Sequence, residues 1–183
     1  MDQTKSLRRF SISPNSINEK RVILMAVDLS VSGVRSFDWY AYNLMRKTDT
    51  VYIFHVPDTL KLSIVGIKEG AMPTHDWESK GKDRVFKIEE FEKDYEYRLQ
   101  ANRLLTSQVL VSPVQATSKE QIAELICQET QARSADMIIL AGKHHGGLRR
   151  RLFSGVVQNV LERASKPVLV CPPIKCDRRN SDT

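Results

Sequence analysis

The sequence predicts an α/β domain built on a single five-stranded parallel sheet. Five short β-prone runs alternate with stretches whose apolar residues recur at helical spacing. Alternation of that kind gives parallel strands joined by right-handed crossovers. Three of the runs are nearly continuous apolar segments, as expected of strands covered by helices on both faces. No internal repeat competes with this reading. At 183 residues the chain is long enough for one domain with a full core and short for two.

Residues 1–19 mix Ser, Asn, Pro and charge without a period and are expected to form a flexible basic tail. RVILMAV (21–27) is the first strand. Val34, Phe37, Ala41, Leu44 and Met45 then form one helical stripe, with Ser30 or Ser32 as N-cap. VYIFHV (51–56) is the second strand. The stretch 57–82, PDTLKLSIVGIKEGAMPTHDWESKGK, is long for a connection, and a lid, a docking loop and disorder are all open for it. Trp77 within it is either a packed anchor or an exposed contact. Val85, Ile88, Phe91, Tyr95, Leu99 and Asn102 mark a long, strongly charged helix, followed by the strand SQVLVSPV (107–114). Ile122, Leu125 and Ile126 mark a helix after Ser118, and DMIILA (136–141) is the fourth strand. Val156, Val157, Val160, Leu161 and Ala164 give the last helix, stopped by Pro167 at the head of the fifth strand, PVLVC (167–171). The folded unit is thus expected at 20–173, with 174–183 as a second flexible tail after Pro172-Pro173.

Composition narrows the function. No apolar run approaches the roughly 20 residues that a membrane helix needs, and the start MDQTKSLRRF lacks a secretory apolar stretch, so a soluble cytoplasmic protein is expected. Cys127, Cys171 and Cys176 are odd in number and have no C-x-x-C spacing, which argues against a disulfide framework or a structural zinc site. Cys127 and Cys171 fall in apolar patterns and read as small hydrophobes; Cys176, in the tail, is the one available for chemistry. The net charge of +6 is concentrated in the two tails and in Arg149, Arg150 and Arg151. Basic tails of this kind favour solubility or weak attraction to polyanions over sequence readout, so no specific nucleic acid is expected.

The stretches VILMAVDLSVSGVRSFDWY, VYIFHV and SADMIILAGKHHGGLRRRLFSGVVQNVLERASKPVLVCPP together resemble the universal stress protein family, over roughly residues 21–173. That resemblance implies a doubly wound, Rossmann-like sheet of strand order 3-2-1-4-5, with the first and fourth strands adjacent at its centre. Loops leaving two such strands run to opposite faces and open a crevice at their carboxyl ends. Asp28 ends the first strand and Gly142 the fourth, so the two should meet across it.

Many members of the family bind ATP there through the pattern Gly-x2-Gly-x9-Gly-Ser/Thr. Backbone N–H groups in a turn without side chains converge on phosphate, and the following helix adds its positive end. Carried over position by position, Gly142 matches the first glycine and Gly155 the last, at the family's separation. His145 stands at the second glycine position and Val156 at the hydroxyl position. A lost hydroxyl bond to phosphate costs about 1.5 to 3 kcal/mol, or ten- to a hundredfold in affinity. Gly146 and Gly147 allow the turn to slip by one residue, and protonated His144 or His145, or an arginine, could supply charge in compensation. By the same resemblance Ala26, Val27, Val56 and Ala141 line the base, Asp28 contacts the base or ribose, and Val157 and Gln158 follow the phosphate turn. The apolar four are equally good core, and Asp28 equally good as a turn carboxylate.

No protein metal site is expected, because adjacent histidines on a turn rarely share one ion. Mg2+ accompanying ATP remains open. Arg149 to Arg151 read as a phosphate clamp or as the solvated side of a loop. With no catalytic set in the sequence, an enzyme is not expected beyond slow, incidental ATP hydrolysis. The edge strand 167–171 predicts a homodimer. RRFS (8–11) and RRNS (178–181) suggest Ser11 and Ser181 as kinase substrates. Two functions follow: an adenine-nucleotide-binding, stress-linked regulator with an unknown protein partner, or a nucleotide-free dimeric interaction module that kept the fold.

Overall fold

The structure, a computed structural model, describes residues 19–57, 76–142 and 155–171, with the backbone alone for 76–84. The expectations placed on the two tails with Ser11, Cys176 and Ser181, on His144, His145 and Arg149 to Arg151, on the Trp77 side chain, and on most of the 57–82 stretch lie outside what is described.

Five strands form one parallel sheet. They are β1 (Val22–Ala26), β2 (Thr50–His55), β3 (Gln108–Val111), β4 (Met137–Ala141) and β5 (Val168–Cys171), in the order β3-β2-β1-β4-β5. The helices are α1 (Val31–Asn43), α2 (Asp76–Ala101), α3 (Lys119–Ala132) and α4 (Gly155–Arg163). The central strand β1 pairs Ala26 with Phe54 on one side and with Leu140 on the other.

Alternation along β1 sorts the core into two layers. Ile23, Met25 and Val27 pack with Phe37 and Tyr40 of α1 and Phe91, Tyr95 and Leu99 of α2. Leu24 and Ala26 pack with Ala123 and Ile126 of α3 and Val157 and Val160 of α4. The sheet is therefore doubly wound, with α1 and α2 on one face and α3 and α4 on the other, and burial on both faces is what made its central strands read as unbroken apolar runs.

Two boundaries and two buried stripes differ from expectation. β3 stops at Val111 because Pro113 lacks an N–H and Ser112 closes a side-chain turn, its Oγ accepting from Val114 N at 3.2 Å and donating to Val114 O at 3.0 Å. α2 begins at Asp76, inside the stretch taken as a loop, since WESKGKDR carries no apolar stripe to announce a helix. Val85, expected on the buried stripe of α2, is exposed. On α1 the most buried positions are Gly33, Ser36, Phe37 and Tyr40, one residue ahead of much of the stripe read from sequence.

Tyr40 goes inside because its hydroxyl has a partner. It donates to Asp49 Oδ2 at 2.7 Å, and the same carboxylate accepts from Arg21 Nε at 2.8 Å, Arg21 Nη2 at 2.7 Å and Arg46 N at 2.8 Å. Burial works to raise the Asp49 pKa, but the bonds from Arg21, the Arg46 amide and Tyr40 outweigh it and hold the carboxyl below its ordinary value. Burial first, then the bond to Asp49, push the Tyr40 hydroxyl well above the usual phenol range. This network ties the start of β1 and β2 to the end of α1, at the edge of the sheet opposite the candidate site.

Candidate functional site

Every helix that follows a parallel strand starts at the carboxyl edge of the sheet, so α1, α3 and α4 all present their N-termini there. The chain leaves β1 toward the α1/α2 face and leaves β4 toward the α3/α4 face. Because β1 and β4 are neighbours, these diverging exits open a crevice between them. Backbone bonds continue the ladder past the strands: Val27 N donates to Phe54 O at 3.0 Å, Gly142 N to Cys171 O at 2.9 Å and Ser112 N to His55 O at 2.8 Å.

Asp28 stands at the crevice mouth, half-buried. Its Oδ1 accepts from the Ser30 amide at 3.3 Å and, closely, from the Ser30 hydroxyl. Ser30 is the N-cap of α1 by backbone conformation, but its hydroxyl is spent on Asp28 and makes no bond to the helix amides. In α3, by contrast, Ser118 Oγ accepts from Gln121 N at 3.1 Å, and Gln121 Oε1 reaches back to Thr117 N at 2.9 Å.

The expected base-lining residues divide between the two faces. Ala26 and Val56 are buried in the same layer as Val157 of α4, on the α3/α4 side, whereas Val27 is buried on the α1 side. Ala141 and Gly142 are half-buried at the end of β4. Val156 packs its isopropyl group against the α3/α4 core. Gln158 is exposed and donates to Glu162 Oε1 at 3.1 Å along its own helix. The crevice is thus floored by apolar side chains and edged by Asp28, Gly142 and the first turn of α4.

Three residues that the sequence did not connect with this site lie near it. His55 is buried, and its Nδ1 lies 3.0 Å from Val27 O; a carbonyl only accepts, so Nδ1 carries the proton in this contact. Its position on β2, two residues beyond Ile53, puts it on the same face as Val27, and strand alternation could have placed it there. Tyr95, 1% exposed, reaches beneath α1, where a Cβ added to Gly33 would lie 3.1 Å from its hydroxyl and 2.9 Å from Asp28 O. That hydroxyl finds no hydrogen-bond partner among the described residues, and burial, followed by smaller effects of the charges around it, pushes its pKa well above the usual phenol value. Lys119, the first residue of α3, lies across Gly155, its Cδ 2.9 Å from where a Cβ would sit. No sequence pattern connects these last two residues.

Among the described residues no group of three or more His, Cys, Asp or Glu side chains could hold a metal, and no described helix is long and apolar enough to cross a membrane. Cys171 is buried, which pushes its thiol up to about 11. A recess of about 680 Å³ lined by Leu99, Leu104, Leu105 and Gln108 lies at the amino end of β3, on the far side of the sheet from the crevice.

A doubly wound domain with order 3-2-1-4-5 and a crevice between β1 and β4 defines the class of Rossmann-like α/β proteins. Within it, residues 20–172 match the model of the universal stress protein family, so the chain belongs to that family. Among solved structures it is similar to a universal stress protein from Burkholderia pseudomallei, with 17% identity, TM-score 0.58, and coverage of 87% of this chain and 100% of that one. It is also similar to UspA from Lactobacillus plantarum, with 16% identity, TM-score 0.57, and coverage of 83% and 97%. A universal stress protein solved in complex with cAMP matches at 15% identity and TM-score 0.51, over 82% of this chain and 95% of that one. No curated protein matches the sequence significantly.

Proposed function

We propose that the protein binds an adenine nucleotide, ATP or a relative of it, in the crevice between β1 and β4, and that it acts as a stress-linked regulator without a dedicated reaction. What supports this reading is that strand order puts the ends of β1 and β4, followed by Asp28 and Gly142, and the start of α4 at the same carboxyl edge of adjacent central strands. Backbone amides and helix positive ends favour an anion there, while the apolar floor suits a base. A family member bound to cAMP supports the ligand class. Mg2+, where it accompanies the phosphates, would be held by them, by water and by Asp28.

Val156 weakens the site by lacking a hydroxyl, and its side chain is partly buried against the α3/α4 core. Calorimetry with ATP, ADP and AMP tests the proposal. Micromolar binding is expected, lost in Asp28→Ala and in Gly155→Val and strengthened in His145→Gly combined with Val156→Ser. Absence of heat from the unmodified protein at high micromolar nucleotide refutes it.

A second reading, a nucleotide-free dimerisation module, would use β5. It is an edge strand, paired on one side only with β4, and an edge of this kind suits a second copy of the chain in either reading. Light scattering that gives monomer alone at micromolar concentration removes the homodimer.

A further inference from the structure

Lys119 and Gly155 belong to different helices, yet they are in contact at the edge of the crevice. A Cβ built on Gly155 would meet Lys119 Cδ at 2.9 Å, with Nζ at 3.6 Å. The absence of a side chain at Gly155 therefore makes room for the lysine stem, which carries its ammonium group to the first turn of α4. A second contact between the same helices, one turn along α4, fixes their spacing: Asn159 Nδ2 donates to Glu120 Oε1 at 3.2 Å.

Electrostatically this is a poor place for an unaccompanied cation. Lys119 is the first residue of α3 and touches the first residue of α4, and helix N-termini carry about half a positive charge each. Glu120 in the first turn of α3 offsets part of this, but its carboxylate is engaged by Asn159 and lies near Arg163. Ion pairs among the described residues include Arg21–Asp49, Arg98–Asp38, Arg98–Asp94 and Arg133–Glu129, and Lys119 is in none of these four. It is also exposed, so a ligand entering the crevice can reach it. A multiply charged anion at the α4 N-terminus would turn three mutual repulsions into attractions.

We infer that Lys119 is a specificity-determining residue that grips the outer phosphates of the nucleotide and selects a di- or triphosphate over a monophosphate. It supplies by charge what the missing hydroxyl at position 156 does not. The inference rests on the nucleotide reading above and names which nucleotides that site prefers.

The test is calorimetry with ATP and with AMP on the full chain, on Lys119→Ala and on Lys119→Arg, with thermal unfolding of each as a fold control. Loss of one charge-assisted contact is expected to weaken ATP about ten- to a hundredfold, to leave AMP within about twofold, and to be largely restored by arginine. Unchanged ATP affinity in Lys119→Ala, with AMP still bound, overturns the inference and leaves the site standing. Equal losses for ATP and AMP also overturn it, because they mark a residue that shapes the site and does not read phosphate. Failure of the unmodified protein to bind either nucleotide removes the site and this role together.

Discussion

Gly33→Ala is a small change in the first turn of α1, and two opposing effects decide its outcome. Alanine is favoured over glycine in a helix by up to about 1 kcal/mol, which on propensity alone stabilises the variant. The new Cβ, however, would sit 2.9 Å from Asp28 O, 3.1 Å from the Tyr95 hydroxyl and 3.3 Å from Val27 Cβ. Two of these atoms are fixed by the sheet: Val27 N is bonded to Phe54 O at 3.0 Å, and Asp28 follows directly. Relief must come from moving α1, at a cost of about 1 to 3 kcal/mol for overpacking. The net expectation is a loss of about 1 kcal/mol, or roughly 2 to 4 °C in a domain of this size. The larger consequence is functional. Displacing α1 drags Ser30, and with it the Asp28 carboxylate that Ser30 orients. A misplaced charge-assisted bond costs about 1.5 to 3 kcal/mol, so nucleotide affinity should fall at least about tenfold. Thermal unfolding and calorimetry read the two effects separately. A variant that melts higher than the parent and binds nucleotide unchanged would refute the reasoning about this contact.

Other perturbations test the packing that holds the site. Asp49→Ala leaves Arg21 and the buried Tyr40 hydroxyl without their carboxylate and should cost about 3 kcal/mol, near the low end for a broken buried pair because Arg21 keeps some water; urea unfolding measures it. Since the folded Asp49 pKa is depressed, its contribution is present above the unfolded value of about 4 and is lost as pH falls through the folded pKa. Acid titration of the Asp49→Asn variant should therefore show a shallower decline than the parent. Tyr95→Phe removes a buried hydroxyl that has no partner among the described residues and should stabilise the protein by up to about 1 kcal/mol in thermal unfolding; a loss above that size would mean the hydroxyl is bonded after all.

The legibility of this molecule in its sequence follows physical lines. β1, β2 and β4 announced themselves because burial on both faces leaves only apolar residues to choose from. Glycine spacing and the family resemblance placed Asp28, Gly142 and Gly155 at one edge, because strand order alone brings those positions together. Polar side chains on buried faces were harder to read: Tyr40 was left off the α1 stripe and His55 was not connected with the site, although each is buried with a hydrogen-bond partner for a polar atom. The first turns of α2 stayed hidden because a helix start rich in charge has no apolar period to read. Lys119 against Gly155 was beyond reach, since contact between two helix starts depends on how α3 and α4 pack and leaves no mark on local spacing.

We propose that the mouth of β1 and β4 holds an adenine nucleotide with its phosphates on the α4 N-terminus. A crystal structure of the protein grown with millimolar ATP tests it most directly. The base is predicted beside Asp28 and above Ala26 and Val56, with the phosphates at the Gly155 amide. A crevice occupied instead by the imidazoles of His144 or His145, or a nucleotide bound elsewhere on the molecule, would contradict it.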